Sequence, residues 1–291
     1  MKYIKRSTPL IIIAFLAILF SCTKEITVDV PLPEEKIVIE GWIEQGKPAT
    51  VVITKNSPYF DTVNINTLIE MFIKDAKVTI SDGTNSEELV YTQNGFAWPL
   101  VYYKGSTLLG EIGKTYSIKV EANGKTLTAE TNITHAPVLD SLWFKLDANQ
   151  DSLGYAWLRF TDPGNETNYY RLFTKRLGKD ADFIPNYGSV SDDKYFNGLT
   201  FDFNIFRGEL SYSNPDINRD EMGYFKLGDT IVMRVCSINK EHYNFWRAAE
   251  QAILTGSNPF VSPASIPTNI IGGGLGIWGG YGATYDTVIA K

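Results

Sequence analysis

From Lys36 onward the chain alternates apolar and polar residues with a period of two, or runs β-branched residues together, in short stretches set apart by turn residues. Residues 37–43, 50–53, 76–80, 88–91, 116–120 and 127–131 read as strands. Asp82-Gly83 closes one of them, and Asn123-Gly124 joins the last two as a tight hairpin, because both residues accept the left-handed backbone of a two-residue turn. Residues 64–74 fit a short helix better. Six or seven short strands with alternating faces predict an immunoglobulin-like β-sandwich over residues 36–136. Ala136-Pro137 marks a boundary, and a second β-rich domain is expected over 137–291, with strands at 142–146, 155–160, 169–173, 198–210, 229–238 and 284–290. Residues 180–197 are polar and interrupted by Gly and Pro, which predicts a long loop. One helix is expected over 239–255: Asn239 caps it, Tyr243, Trp246, Ala249 and Ile253 form its apolar stripe, and Gly256 stops it. Pro259, Pro263 and Pro267 then exclude regular structure. The expected fold is mainly β: two immunoglobulin-like sandwiches, the second with one amphipathic helix and a Gly/Pro-rich loop.

The opening stretch breaks this pattern. Lys2, Lys5 and Arg6 precede an unbroken apolar run over residues 10–20. That run is too short to span a bilayer, which takes about 20 apolar residues, and it matches a secretory signal peptide over residues 1–21. Leu19-Phe20-Ser21-Cys22 resembles the bacterial lipobox, which makes Cys22 the lipidated first residue of the mature chain. More than one acyl chain gives lasting attachment. The next residues, Thr23-Lys24-Glu25, resemble the surface-export signal of Bacteroidota lipoproteins. Residues 22–35, with Pro31 and Pro33, read as a semi-stiff tether. The expectation is an outer-membrane lipoprotein, with the cell surface favoured over the periplasmic face.

The whole chain has a formal net charge of −6, and the leader removes three bases and no acid. Acids and bases are interspersed, which argues against nucleic acid as a partner. With Cys22 acylated, Cys236 has no internal partner, and its apolar neighbours mark it as a small buried side chain.

No catalytic constellation stands out, so no enzyme activity, cofactor or metal is expected. Gly274-Leu275-Gly276-Ile277-Trp278-Gly279 matches a dinucleotide fingerprint in letters only, since a Pro-rich stretch precedes it and no helix follows. Seven glycines between 272 and 282 instead suggest a loop pressed against another backbone. Asp147-Ala-Asn149-Gln-Asp151 and Asp216-Ile-Asn218-Arg-Asp220 lack the Gly and Glu of a calcium loop and read as turns. His135 and His242 are two isolated histidines, and no G-x-S-x-G elbow is present. Asp192-Asp193 and Asp220-Glu221 read as solvated turns. Trp98, Tyr102, Tyr103, Trp278 and Tyr281 fall in loops or near Gly, where they either pack in the core or form an exposed platform. Asp151-Ser152-Leu153 fits a three-residue O-glycosylation pattern of exported Bacteroidota proteins.

Several segments, taken in order, carry a family resemblance. They are Ile37-Val38-Ile39-Glu40-Gly41-Trp42-Ile43, Leu139-Asp140-Ser141, Phe160-Thr161-Asp162-Pro163 with Tyr169-Tyr170-Arg171, and Tyr243-Asn244-Phe245-Trp246. Asn258-Pro259-Phe260 and Thr268-Asn269-Ile270-Ile271-Gly272-Gly273-Gly274-Leu275-Gly276 complete the set. The sequence resembles the domain-of-unknown-function 4249 lipoproteins of Bacteroidota over nearly the whole mature chain. The resemblance transfers no catalytic residue. It implies an outer-membrane lipoprotein encoded beside TonB-dependent transporters, hence an accessory role in uptake with the transporter as partner. Within that role, Asn269, Trp278 and Tyr281 of the Gly/aromatic stretch are the expected contact surface, with a core plug as the other reading. The alternatives are a free-standing glycan-binding or adhesin module and, behind it, a hydrolase.

Overall fold

A computed structural model describes residues 34–57, 65–95, 99–209, 219–255 and 265–291. The leader, Cys22, the tether before Glu34, Trp98, Asp216 to Asn218, Gly256 and Asn258-Pro259-Phe260 lie outside the described residues. Residues 35–291 form one compact unit, and it is mainly β.

The first half holds β1 (Ile37–Glu44), β2 (Pro48–Lys55), helix α1 (Ile65–Met71), β3 (Lys77–Ser81), β4 (Ser86–Glu88), β5 (Val90–Gln93), β6 (Val101–Leu109), β7 (Thr115–Ala122) and β8 (Lys125–Asn132). The second half holds β9 (Leu139–Leu146), β10 (Leu153–Thr161), β11 (Tyr169–Arg176), β12 (Ile184–Asp192), β13 (Thr200–Ile205), β14 (Phe225–Lys226), β15 (Thr230–Ile238), helix α2 (Lys240–Thr255) and β16 (Leu275–Ile289). Eight strands form one sheet in the order β12-β11-β15-β16-β1-β2-β6-β5. Two four-stranded sheets accompany it: β4-β3-β7-β8, and β13-β10-β14 with β9 on β10.

The two larger cores follow from the alternation of side chains. One gathers Ile39, Ile43, Val51, Ile53, Ile80, Tyr116, Ile118 and Leu127 from the first half. The other gathers Leu158, Phe160, Leu172, Phe225, Ile231 and Met233 from the second. The Asn123-Gly124 hairpin forms as expected, with φ of 50° and 72°, both left-handed as the tight turn requires. The Tyr116 hydroxyl donates to the Leu109 carbonyl at 3.1 Å and accepts from the Glu111 amide at 2.8 Å. A tyrosine whose hydroxyl returns to backbone a few residues upstream is the corner device of Greek-key sandwiches.

The boundary expected after Ala136 does not divide the large sheet, because β16 belongs to both halves. Its first part runs parallel to β1, from Val38↔Leu275 to Glu44↔Tyr281. Its second part runs antiparallel to β15, from Ser237↔Gly282 to Thr230↔Ile289. The Gly-rich stretch expected to be a loop is therefore strand from Leu275 onward, while Gly272 to Gly274 precede the strand. The close backbone approach read from its glycines is real: a Cβ on Gly282 would overlap the Thr134 carbonyl, and one on Gly279 would overlap the His242 ring. A second correction concerns 180–197, half of which is strand β12. Pro185 and Gly188 mask it in the sequence, yet β12 is the edge of its sheet, where a missing N–H is tolerated. Among the described residues no helix is long and apolar enough to cross a membrane.

Candidate functional site: an aromatic cavity beneath a strand bulge

The expected contact residues are structural. Trp278 is 0% exposed and Tyr281 4%. The Trp278 indole N–H donates to the Tyr116 carbonyl at 2.9 Å inside the first core, against Gly41, whose lack of a Cβ makes room for the ring. Asn269 is half-buried, and its amide pairs with both backbone groups of Trp278, donating to the carbonyl at 2.8 Å and accepting from the N–H at 3.0 Å. It stands in for a neighbouring strand rather than facing a partner. The plug reading holds, although Trp278 plugs the first core rather than the second.

Tyr281 belongs to a polar seam between the large sheet and α2. Its hydroxyl accepts from Arg171 at 2.7 Å, and the Arg171 guanidinium lies 3.5 Å from the centre of the Trp246 ring. Arg171 also donates to the Ser189 hydroxyl at 3.3 Å, and Ser189 is held in turn by the Glu250 carboxylate of α2. On the same strands Arg234 pairs with Glu44 at 2.6 Å, and Glu44 accepts from the Tyr285 hydroxyl at 2.5 Å. Burial pushes the Tyr281 hydroxyl up and the Cys236 thiol up to about 11, so both stay protonated. His242 is fully buried against Tyr281, with ring centres 4.8 Å apart. Burial first, then the Arg171 charge, holds it neutral, well below the usual imidazole range. These groups pack against one another, while His242 Nδ1, Arg234 Nε and Trp246 Nε1 have no hydrogen-bond partner among the described residues. The sequence signal for them was an Arg inside each of two apolar strands, at Arg171 and Arg234.

A different feature is open. Between the two sheets of the second half lies a cavity of about 280 Å³. Its origin is a bulge. Arg171 of β11 faces Val190 of β12, but two residues on, Phe173 faces Pro185. Four β12 residues, 186 to 189, thus stand opposite Leu172 alone and lift away from the sheet. Gly188 turns the bulge with φ of 65°. The cavity wall is aromatic: Phe160, Tyr170, Phe196, Phe201 and Phe203 line it, with ring centres of Phe196 and Phe201 4.5 Å apart and of Phe201 and Phe203 5.2 Å apart. Tyr187 and Phe206 line it too while 48% and 46% exposed, which marks the open side. Sequence reasoning missed this site. Its available signal was the alternating Phe201-x-Phe203 with Phe206, more aromatic surface than one thin sheet needs to cover.

One polar atom is conspicuous. Asn186 lines the cavity at 7% exposure; its amide nitrogen donates to the Phe206 carbonyl at 2.8 Å, while its Oδ1 has no partner among the described residues. Buried acceptors are normally paired. The Tyr170 hydroxyl is already committed, donating to Asp162 at 2.5 Å. Among the described residues no group of three or more His, Cys, Asp or Glu is placed to hold a metal ion. His135 is exposed, and the Asp147 turn is confirmed as such, its Oδ1 accepting from the Asn149 amide at 2.9 Å.

A family model described as Domain of unknown function (DUF4249) matches residues 23–286. The chain belongs to this family. The match spans both halves of the molecule, so in this DUF4249 protein the seam, the shared strand β16 up to residue 286 and the bulge over the cavity fall within one family unit.

Proposed function

We propose that the protein is a non-catalytic binding protein, anchored to the outer membrane by lipid at Cys22, that captures a small ligand for a TonB-dependent transporter. The observation that carries the binding role is the aromatic cavity with its partnerless Asn186 carbonyl. Ligand sites are concave and mostly apolar, with a few placed polar groups. Among the described residues the lining has no acid, histidine, lysine, arginine or cysteine; its polar side chains are Asn186, Asn204, Ser191, Tyr170 and Tyr187, set in a wall of Phe, Leu, Ile and Val, which suits holding a ligand rather than general acid–base chemistry. Anchoring is supported by the basic-apolar-Ser21-Cys22 order of the leader. The transporter is supported by the family resemblance, and confinement to the same membrane raises effective concentration beside it. Surface display is supported by Lys24-Glu25 following the lipidated residue. The test combines clickable fatty-acid labelling of the native chain and Cys22→Ala with affinity isolation from solubilised membranes. Label on the native chain alone, with a β-barrel transporter co-isolated, supports the proposal. Equal label on both chains, or isolation without a transporter, removes the anchor or the accessory role respectively.

A glycan-binding module is the second reading, and one observation favours it. On the outer face of β9 and β10, Trp143 and Trp157 pair across the strands with ring centres 6.2 Å apart and planes 20° apart, and both are partly exposed. Loss of glycan-array binding in Trp157→Ala would support it.

A further inference from the structure

The geometry points to a neutral, ring-bearing ligand with a single N–H or O–H donor as the occupant of the cavity beneath the β12 bulge. This inference rests on the binding role proposed above and narrows it to a chemical class.

The shape comes first. The cavity holds about 280 Å³, and Phe160, Phe196, Phe201 and Phe203 present ring faces and edges to it. Aromatic quadrupoles favour a second ring set offset or edge-on over a floppy chain of the same area. The polar requirement comes next. The Asn186 amide cannot rotate to use its carbonyl elsewhere without giving up the bond to Phe206. Its orientation is fixed, and the vacant acceptor is Oδ1. A ligand that brings a donor relieves the cost of that buried, unpaired oxygen.

Charge is excluded by the same lining. Among the described residues no ionised side chain lines the cavity. Tyr170 stays protonated, because burial and its bond to Asp162 both push its hydroxyl up. A carboxylate, phosphate or ammonium would lose its water and gain no counter-charge. A sugar fails for a related reason. Among the described residues Asn186 Oδ1 is the one buried side-chain polar atom of the lining without a partner, and Ser191, Asn204 and Tyr187 add few polar groups to a wall of Phe, Leu and Ile, so most hydroxyls of a hexose would be stranded. Indole and phenol fit the description, whereas zwitterionic amino acids and monosaccharides do not. The half-exposed Tyr187 and Phe206 place the entrance beside Asn186, whose chain neighbour and bonding partner they are.

Equilibrium dialysis of the full mature lipoprotein in phosphatidylcholine vesicles tests this, with protein-free vesicles to subtract partitioning. The probes are indole, benzothiophene (the same shape without the N–H), indole-3-acetate and glucose. We expect saturable 1:1 retention of indole, benzothiophene about tenfold weaker in line with one lost buried hydrogen bond, and no saturation by the other two. Asn186→Leu should bring indole and benzothiophene to equal affinity. Val235→Phe, which puts a ring into the cavity from β15, should abolish both. If Asn186→Leu fails to fold, the indole–benzothiophene ratio on the native chain still decides. Equal binding of that pair on the native chain overturns the ligand class and leaves the binding role standing. Saturable glucose or indole-3-acetate that Val235→Phe removes does the same. No saturable probe at all, or retention that survives Val235→Phe, overturns both.

Discussion

Replacing Trp278 with alanine asks whether the Gly-rich strand is a surface or a core. The indole is fully buried, packs among Ile39, Val51, Tyr116 and Ile118 of the first core, and donates to the Tyr116 carbonyl at 2.9 Å. Truncating a buried Trp to Ala costs about 3–5 kcal/mol. The orphaned Tyr116 carbonyl and the backbone around Gly41, shaped to leave room for the ring, place this site toward the upper end, about 4–5 kcal/mol. Single domains are typically stable by about 5–15 kcal/mol, so the variant should be marginal or unfolded. Because β16 pairs with β1 at one end and β15 at the other, the loss should reach both halves. The assay is equilibrium urea unfolding of residues 23–291, followed by near-UV circular dichroism and by tryptophan emission, which retains Trp42 and Trp98 in the first half and Trp143, Trp157 and Trp246 in the second. Both signals should shift together to lower urea. A loss below about 1 kcal/mol, or a first half that melts while the second keeps its midpoint, would refute the account of β16 as a shared core strand.

Three further outcomes follow from the same contacts. Gly279→Ala forces a methyl into the His242 ring and should cost about 1–3 kcal/mol, the range for overpacking; adding His242→Ala should recover part of that loss, and strict additivity in thermal melts would count against the contact. His242 is held neutral in the fold, with its pKa depressed by burial and by Arg171, so the unfolded chain binds the extra proton. Stability should therefore be level above about pH 6.5 and fall below it by up to about 1.4 kcal/mol per unit, a slope that His242→Gln abolishes. Glu87 behaves in the opposite chemical sense: slight burial opposes its charge, but the amides of Leu108, Ser106 and Thr107 and the Ser106 hydroxyl win and bring it down to about 2. Its contribution, about 1–2 kcal/mol after solvent screening, is present above about pH 4.5 and lost as pH falls toward 2; Glu87→Gln should remove that stability at pH 7 in chemical denaturation.

Elements governed by local chemistry were legible in the sequence. The Asn123-Gly124 hairpin and the capped helix α2, whose Asn239 Oδ1 accepts from the His242 amide at 2.9 Å, need only neighbours in sequence. The alternating strands of the first half share that property. What escaped depended on distant partners. The apolar pattern of β6 is diluted by Lys104 and Gly105, and Tyr103 in it is buried because its hydroxyl reaches the Ile73 carbonyl at 3.0 Å. The glycines of β16 read as loop because nothing local reveals that Thr134 and His242 crowd against them. Trp278 among glycines reads as either a contact surface or a core plug for the same reason. The cavity lies furthest from the sequence: it needs the register jump opposite Leu172, and then a second sheet to bring the Phe side chains across. The proposed anchoring at Cys22 rests on the local pattern of residues 1–22 alone, outside the described residues.

The most direct measurement of the central claim is a crystal structure of the chain grown with indole. The account predicts a ring in the space beneath residues 186 to 189, packed against Phe201 and Phe203, with its N–H directed at Asn186 Oδ1 and the hydrogen bond from the Asn186 amide to Phe206 intact. Density for indole elsewhere on the protein, or a cavity that stays empty at saturating indole, would contradict it.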